Sequence, residues 1–169
     1  MDRFVSTFTN RIDAKGRISI PAPFRAVLER DRYGGGAEPC IYCYPSLDAE
    51  ALDAGGERLA QKIDGLLGGL PDYSDERDEL SVALYGDVQI LSIDQDGRIV
   101  LPERLRSHLG LAAGAAEIAF VGLGEKFQLW EPGRFANRRE RAREKVNAHR
   151  RLLGGASGGS GGSSGGTAG

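Results

Sequence analysis

One aspartate, one glycine and one arginine recur in this chain at a fixed spacing. Asp13, Gly16 and Arg17 stand in IDAKGRISIP, and Asp94, Gly97 and Arg98 stand in IDQDGRIVLP, each 81 positions later. An aspartate that opens a turn accepts hydrogen bonds from backbone amides further along it, and a glycine enters the left-handed region without steric cost. The arginine that follows leaves a rigid turn. Its planar guanidinium suits bidentate contact with a phosphate, or with O6 and N7 of guanine. A second reading has each arginine pair with the aspartate four residues before it and staple its own turn, and the two roles can coexist. Lys15 adds a cation to the first turn, whereas Asp96 holds the same place in the second, so the first turn is the more cationic.

Other chemistry finds little to hold. Asp13 and Asp94 could be paired carboxylates, but no GxSxG, P-loop, HExxH or acid-rich metal cluster accompanies them. Neither His108 nor His149 lies near a candidate nucleophile in a recognisable pattern. An aspartate before a glycine is more simply a local cap, so no catalytic residue is expected. Cys40 and Cys43 form a CxxC within PCIYCYP. On a strand, residues three apart point to opposite faces, so the two sulfurs diverge. A zinc site would need about two further ligands, which the two distant histidines do not supply. The pair is read as two reduced thiols, with no metal and no cofactor.

The elements that must position the turns follow from periodicity. RFVSTFTNRI alternates polar and apolar residues as a strand with one buried face does, and RISIP resumes the alternation after DAKG. Ile18 and Ile20 share one face of that second strand, and Arg17 and Ser19 share the other. Pro21 removes a backbone donor and closes the strand. PAPFRAVLERD is predicted as a short helix with Phe24, Val27 and Leu28 on one stripe. Gly34 to Gly36 then lead to the strand CIYCYP.

The second copy has the same order: VQILSI, DQDG, RIVLP, then a helix ERLRSHL ended by Gly110. Over the 17 residues from Ile12 and from Ile93, eight positions are identical, which apolar patterning alone would not produce. Strands AEIAFVG and KFQLWEP follow, with Trp130 taken as the counterpart of Tyr44. One such β-turn-β-α-β-β unit is too small to bury both faces of its strands. Two of them interlocked close a single barrel about a pseudo-twofold axis.

Between the copies, SLDAEALDAGGERLAQKIDGLLGG and SDERDELSVALYG are predicted as acidic amphipathic helices joined at Pro71. After the second copy, RFANRRERAREKVNAHRRLL is predicted as a basic helix, either a nucleic-acid arm or a solvated helix charged for solubility. From Gly154 the tail has nine glycines in 16 residues and cannot pack a core.

The net charge of −2 argues by itself against a nucleic-acid binder, but its distribution says more. Residues 1–33 hold seven Lys/Arg against four Asp/Glu, whereas residues 34–97 hold three against 14. Residues 98–133 balance at four each, and residues 134–151 hold eight against two. The acid is concentrated in one block and leaves basic surface elsewhere. No apolar run approaches the ~20 residues of a membrane span. The N-terminal MDRFVSTFTNR has charges and alternation where a signal peptide would be apolar, so a cytoplasmic protein is expected.

DAKGRISIP followed by FR, then a second DxxGRxxLP and FQLWE, resemble the MraZ family of transcriptional regulators, and each copy is similar to a SpoVT/AbrB-type domain. The resemblance covers about residues 4–137. It implies an α+β, mainly β fold. Duplicated β-hairpin/helix/β-hairpin halves would form a swapped-hairpin, AbrB-like, double-psi-type barrel with acidic connecting helices and a C-terminal helix. The expected organisation is a first domain over 7–54, an acidic helical connector over 55–90, a second domain over 91–137, a basic helix over 138–153 and a disordered Gly/Ser tail over 154–169.

The resemblance further implies DNA contact by Lys15 and Arg17 in the first copy and Arg98 in the second, with Asp13, Gly16, Asp94 and Gly97 supporting the turns. The partners it implies are double-stranded DNA, at direct repeats in the promoter, and further copies of the chain in a homo-oligomeric ring. The expected role is a repressor of the division and cell-wall gene cluster that binds its own upstream region. It is expected in the cytoplasm, associated with the nucleoid, with no membrane partner and no enzymatic activity. The glycine-rich tail and Asp96 depart from the family pattern. The alternative from another class is a structural or protein-interaction module whose turns are only stapled and whose acidic helices dock a partner.

Overall fold

Short runs of alternating apolar residues make most of the strands, and the computed structural model describes residues 2–111, 114 and 116–157. Strand β1 (Thr7–Ile12) leads through the DAKG turn to β2 (Arg17–Ser19), in which only Ile18 is buried. Helix α1 (Ala22–Arg30) begins after Pro21 and carries Pro23 in its first turn, where the missing N–H costs no helical bond. It buries Phe24, Val27 and Leu28, as the stripe requires. Strands β3 (Cys40–Pro45) and β4 (Leu52–Gly55) form a hairpin, followed by α2 (Glu57–Gly68) and α3 (Asp75–Ser81), which runs into a π turn at Val82–Gly86. The second half repeats the order: β5 (Gln89–Ser92), β6 (Arg98–Val100), α4 (Glu103–His108), β7 (Ala116–Gly122) and β8 (Phe127–Trp130). Helix α5 (Pro132–Ser157) follows.

All strand pairs are antiparallel, in the order β5-β3-β4-β8-β7-β1-β2-β6. The two end strands touch, and the Asp94 amide donates to the Arg98 carbonyl at 2.9 Å, so the sheet is a nearly closed barrel. Exchanging the first four strands with the last four reproduces the same cyclic order, which is the signature of a pseudo-twofold axis. The halves are swapped. Strand β1 pairs along its length with β7 of the other half, from Thr7 opposite Val121 to Ile12 opposite Ala116, and β5 pairs with β3. At the axis Ile18 of β2 faces Ile99 of β6.

The core is built from repeat-related pairs: Ile12 with Ile93, Ile18 with Ile99, Ile20 with Leu101, Phe24 with Leu105 and Leu28 with Leu109, all in one buried cluster. Burying each such side chain is worth about 1.5–3 kcal/mol, so the association of the halves and the folding of the barrel are one event. Symmetry is broken at Phe24, whose ring packs within 5.1–6.4 Å, centroid to centroid, of Phe4, Phe8, Phe120 and Phe127. A smaller cluster lies under α2, where Tyr42 and Tyr44 meet Leu59, Ile63, Leu67 and Leu84.

Two expectations are corrected. The stretch predicted as helix from Ser46 contains β4, because Leu52 and Ala54 are drawn into the barrel between β3 and β8, and α2 starts only at Glu57. Trp130 lies in β8, whose counterpart by strand order is β4; Tyr44 lies in β3, whose counterpart is β7. The remaining acidic segments are helical as expected.

The barrel and its first four helices form one compact unit that ends at Arg134, and the rest of α5 belongs to a second. Of the tail expected over 154–169, residues 158–169 lie outside the described residues, and α5 itself extends to Ser157. No helix among the described residues is long and apolar enough to cross a membrane.

Candidate nucleic-acid interface

The two turns are built by the same four hydrogen bonds. In the first, Asp13 Oδ1 accepts from the amides of Lys15 at 3.0 Å and Arg17 at 2.9 Å. The Asp13 carbonyl accepts from the Gly16 amide at 3.0 Å, and its amide donates to the Arg17 carbonyl at 3.1 Å. In the second, Asp94 Oδ1 accepts from Asp96 and Arg98, each at 2.9 Å, and the two backbone bonds recur at 3.0 and 2.9 Å. Gly16 and Gly97 take φ of +85° and +76°, the conformation that glycine adopts without strain. The Arg17 amide and then its guanidinium hold the Asp13 carboxyl below its ordinary range; for Asp94 the main cause is the Arg98 amide.

Each turn is also tied to the other half. The Leu101 amide donates to the Gly16 carbonyl at 2.8 Å, and the Ile20 amide donates to the Gly97 carbonyl at 2.9 Å. The two turns therefore share one backbone network across the axis.

Pairing sets the direction of the arginines. With Ile18 and Ile99 pointing inward, Arg17, Ser19, Arg98 and Val100 point outward from adjacent strands. Arg17 stands opposite Val100 and Arg98 opposite Ser19, which makes the two arginines diagonal neighbours on one outer face. The stapling interaction forms in both turns. Arg17 Nε donates to Asp13 Oδ2 at 2.6 Å, and Arg98 Nη2 donates to Asp96 Oδ2 at 3.1 Å, with its Nε 3.4 Å from Asp94 Oδ2. The Arg17 and Arg98 side chains are still 46% and 39% exposed. Solvated ion pairs of this kind contribute little to stability, so a phosphate can replace the carboxylate at small cost. Lys15 is exposed, and its ammonium has no partner among the described residues. The first turn thus has two cations against one anion, and the second has one cation against two anions.

Two arginines that sequence reasoning passed over pack against the same turns. Arg25 in α1 and Arg106 in α4 occupy matching positions of the repeat, and each crosses to the other half's turn. Arg106 Nη1 donates to the Ala14 carbonyl at 3.2 Å, and its Nε would lie 3.3 Å from a β-carbon placed on Gly16. Arg25 lies over Gly97 so closely that a β-carbon there would be 2.0 Å from its Nη1. The Nε atoms of both are buried without a hydrogen-bond partner. The available signal was their identity in the repeat; the contact itself arises only from the exchange of hairpins.

The cysteines take no part in the interface. Both are free thiols on β3; Cys43 is buried, and burial pushes its thiol up to about 12, so no thiolate is present at neutral pH. Burial also raises Cys40. Among the described residues no three metal-ligating side chains come together.

Residues 84–153 match the family of the MraZ protein, described as antitoxin-like. A relative named transcriptional regulator MraZ from Beijerinckia indica subsp. indica is 54% identical over 153 residues, spanning 90% of this chain and 88% of the relative. The protein of that name from Azorhizobium caulinodans is 52% identical over 158 residues, spanning 94% and 96%. The one from Rickettsia akari is 33% identical over 157 residues, spanning 93% of this chain and all of the relative.

Proposed function

Because this chain belongs to the MraZ family, whose curated relatives carry the name transcriptional regulator, we propose that it regulates transcription by binding duplex DNA through its paired turns. Lys15, Arg17 and Arg98 make the contacts, and Asp13, Gly16, Asp94 and Gly97 hold the turns in shape. The observation that carries this reading is two identically bonded turns, tied together across the axis, that present exposed cations on one outer face. The role is regulatory and not enzymatic.

In finer terms, the protein represses the division and cell-wall gene cluster by binding direct repeats in its own upstream region. It acts as a ring of identical subunits, in the cytoplasm and on the nucleoid. One barrel offers only two arginine-bearing turns, and binding through few phosphates is weak. A ring sets successive turns along the duplex and raises affinity through effective concentration.

Binding begins with exchange of partners: Arg17 leaves the Asp13 carboxylate for a phosphate or a guanine edge, while the backbone bonds to Asp13 Oδ1 keep the turn. Mobility shifts of the upstream duplex over a salt series, with a melting curve for each variant, test the assignment. Arg17→Ala should lower the slope of log K against log salt by roughly 0.9 for each phosphate it no longer neutralises. If Arg17 reads a base instead, its removal should cost about 1–3 kcal/mol and relax sequence preference. If each arginine only staples its turn, the variants lose stability and bind the operator like wild type while folded, and the DNA-contact reading ends.

A further inference from the structure

The largest concentration of unbalanced positive charge lies in α5, outside the paired turns. Between Arg134 and Arg151 stand eight Lys/Arg against Glu140 and Glu144, and every lysine and arginine from Arg138 to Arg151 is exposed. At 3.6 residues per turn, Arg134, Arg138, Arg141, Lys145 and His149 fall on one stripe. Arg139, Arg143 and Arg150 fall on a second, with Phe135, Ala142 and Val146 between the two. Both glutamates lie together on the remaining side, so an arc of roughly 200° carries no anion.

This pattern works against the helix itself. Arg134 with Arg138, Arg139 with Arg143 and Arg141 with Lys145 are like charges at (i, i+4), and no (i, i+4) pair of opposite charge offsets them. Among the described residues, no ion pair joins two side chains of α5. Such a helix is stabilised when an anionic partner supplies the missing counter-charge. Two cationic stripes roughly 140° apart face two anionic walls better than one plane. A flat acidic surface would engage one stripe, and a bilayer would call for a broad apolar face, whereas Phe135, Ala142 and Val146 make a single narrow line between the two cationic stripes.

We propose that α5 is a second nucleic-acid contact of this chain: a sequence-independent arm that lies along a groove of duplex DNA, with the two cationic stripes against the two phosphate backbones. The proposal rests on the DNA-binding reading of the turns. In it the turns select the site, and α5 adds affinity for any duplex.

The test uses the full chain with Arg138, Arg139, Arg141 and Arg143 changed to Gln, which keeps helix propensity and removes charge. A companion with the same four changed to Lys keeps the charge. The probes are a duplex of the chain's own upstream region and a scrambled duplex of equal length, each titrated over a salt series. The Gln variant should lose affinity for both duplexes in parallel, by tenfold or more, and keep the ratio between them. Its salt slope should fall by roughly 0.9 for each phosphate left without a cation. The Lys variant should bind like wild type, and added duplex should raise the helical circular dichroism of the wild type but not of the Gln variant. A Gln variant that keeps wild-type affinity and slope, while Arg17→Ala loses the operator, overturns the arm and leaves the function standing. A wild-type chain that binds neither duplex overturns both.

Discussion

At Gly16 the turn and the opposite strand meet through backbone alone. A β-carbon there would sit 2.5 Å from the Leu101 carbonyl oxygen; at Gly97 the obstruction is the Arg25 side chain, which can move. Both glycines are left-handed, a conformation that costs a side-chain-bearing residue about 1–2 kcal/mol. Gly16→Ala should therefore lower the melting midpoint more than Gly97→Ala, and an equal or reversed order would refute the backbone obstruction. The aspartates make a pH prediction. Their folded-state carboxyls titrate below 3.8, the ordinary value, so their contribution to folding is complete above that pH. It is lost as the pH falls through the depressed values. Melting curves should show no pH dependence from either carboxyl between about pH 5 and pH 8, where the contribution is full, and a progressive loss of stability on further acidification. Asp13→Asn keeps an oxygen for the two amides and should hold the turn better than Asp13→Ala. These residues were legible because the turn chemistry is local: acceptor, glycine and amides all fall within five positions.

Arg25 and Arg106 show what elements do that residues cannot. Each belongs to a helix of one half and covers the turn of the other, so their role becomes visible only once the hairpins are exchanged. Arg106→Ala removes the bond to Ala14 as well as the cover over Gly16, whereas Arg25→Ala removes cover alone. Hydrogen exchange at the Lys15 amide should speed up in Arg106→Ala with little change in melting midpoint, and operator affinity should drop more than in Arg25→Ala. Strands β1 and β2 and helix α1 could be read from local alternation and a single apolar stripe. Strand β4 could not. LDAG has no pattern that distinguishes four strand residues from the start of the following helix, and it is a strand because β3 and β8 pair with its two edges. Gly56, next in line, lets the chain pass Asp31: a β-carbon there would meet the Asp31 carbonyl oxygen at 1.9 Å. Gly56→Ala should cost about 1–3 kcal/mol, the usual range for overpacking.

For the molecule as a whole, the duplicated motif disclosed that one barrel comes from two halves, and the pairing of β1 with β7 is the part that no local pattern encodes. If the proposed ring forms, light scattering at micromolar concentration should give a mass several times 18.1 kDa, and a stable monomer would exclude it. The exchange of hairpins also has a consequence for synthesis. Thr7 leaves the ribosome 114 residues ahead of its partner Val121, a delay of roughly 6–23 s at ordinary translation rates. Throughout that interval the β1 edge that takes β7 is open to pairing with other nascent chains, and until Leu101 emerges neither turn has its cross-axis support. Premature termination anywhere before β7 thus yields a fragment with an open strand edge and inclined to aggregate.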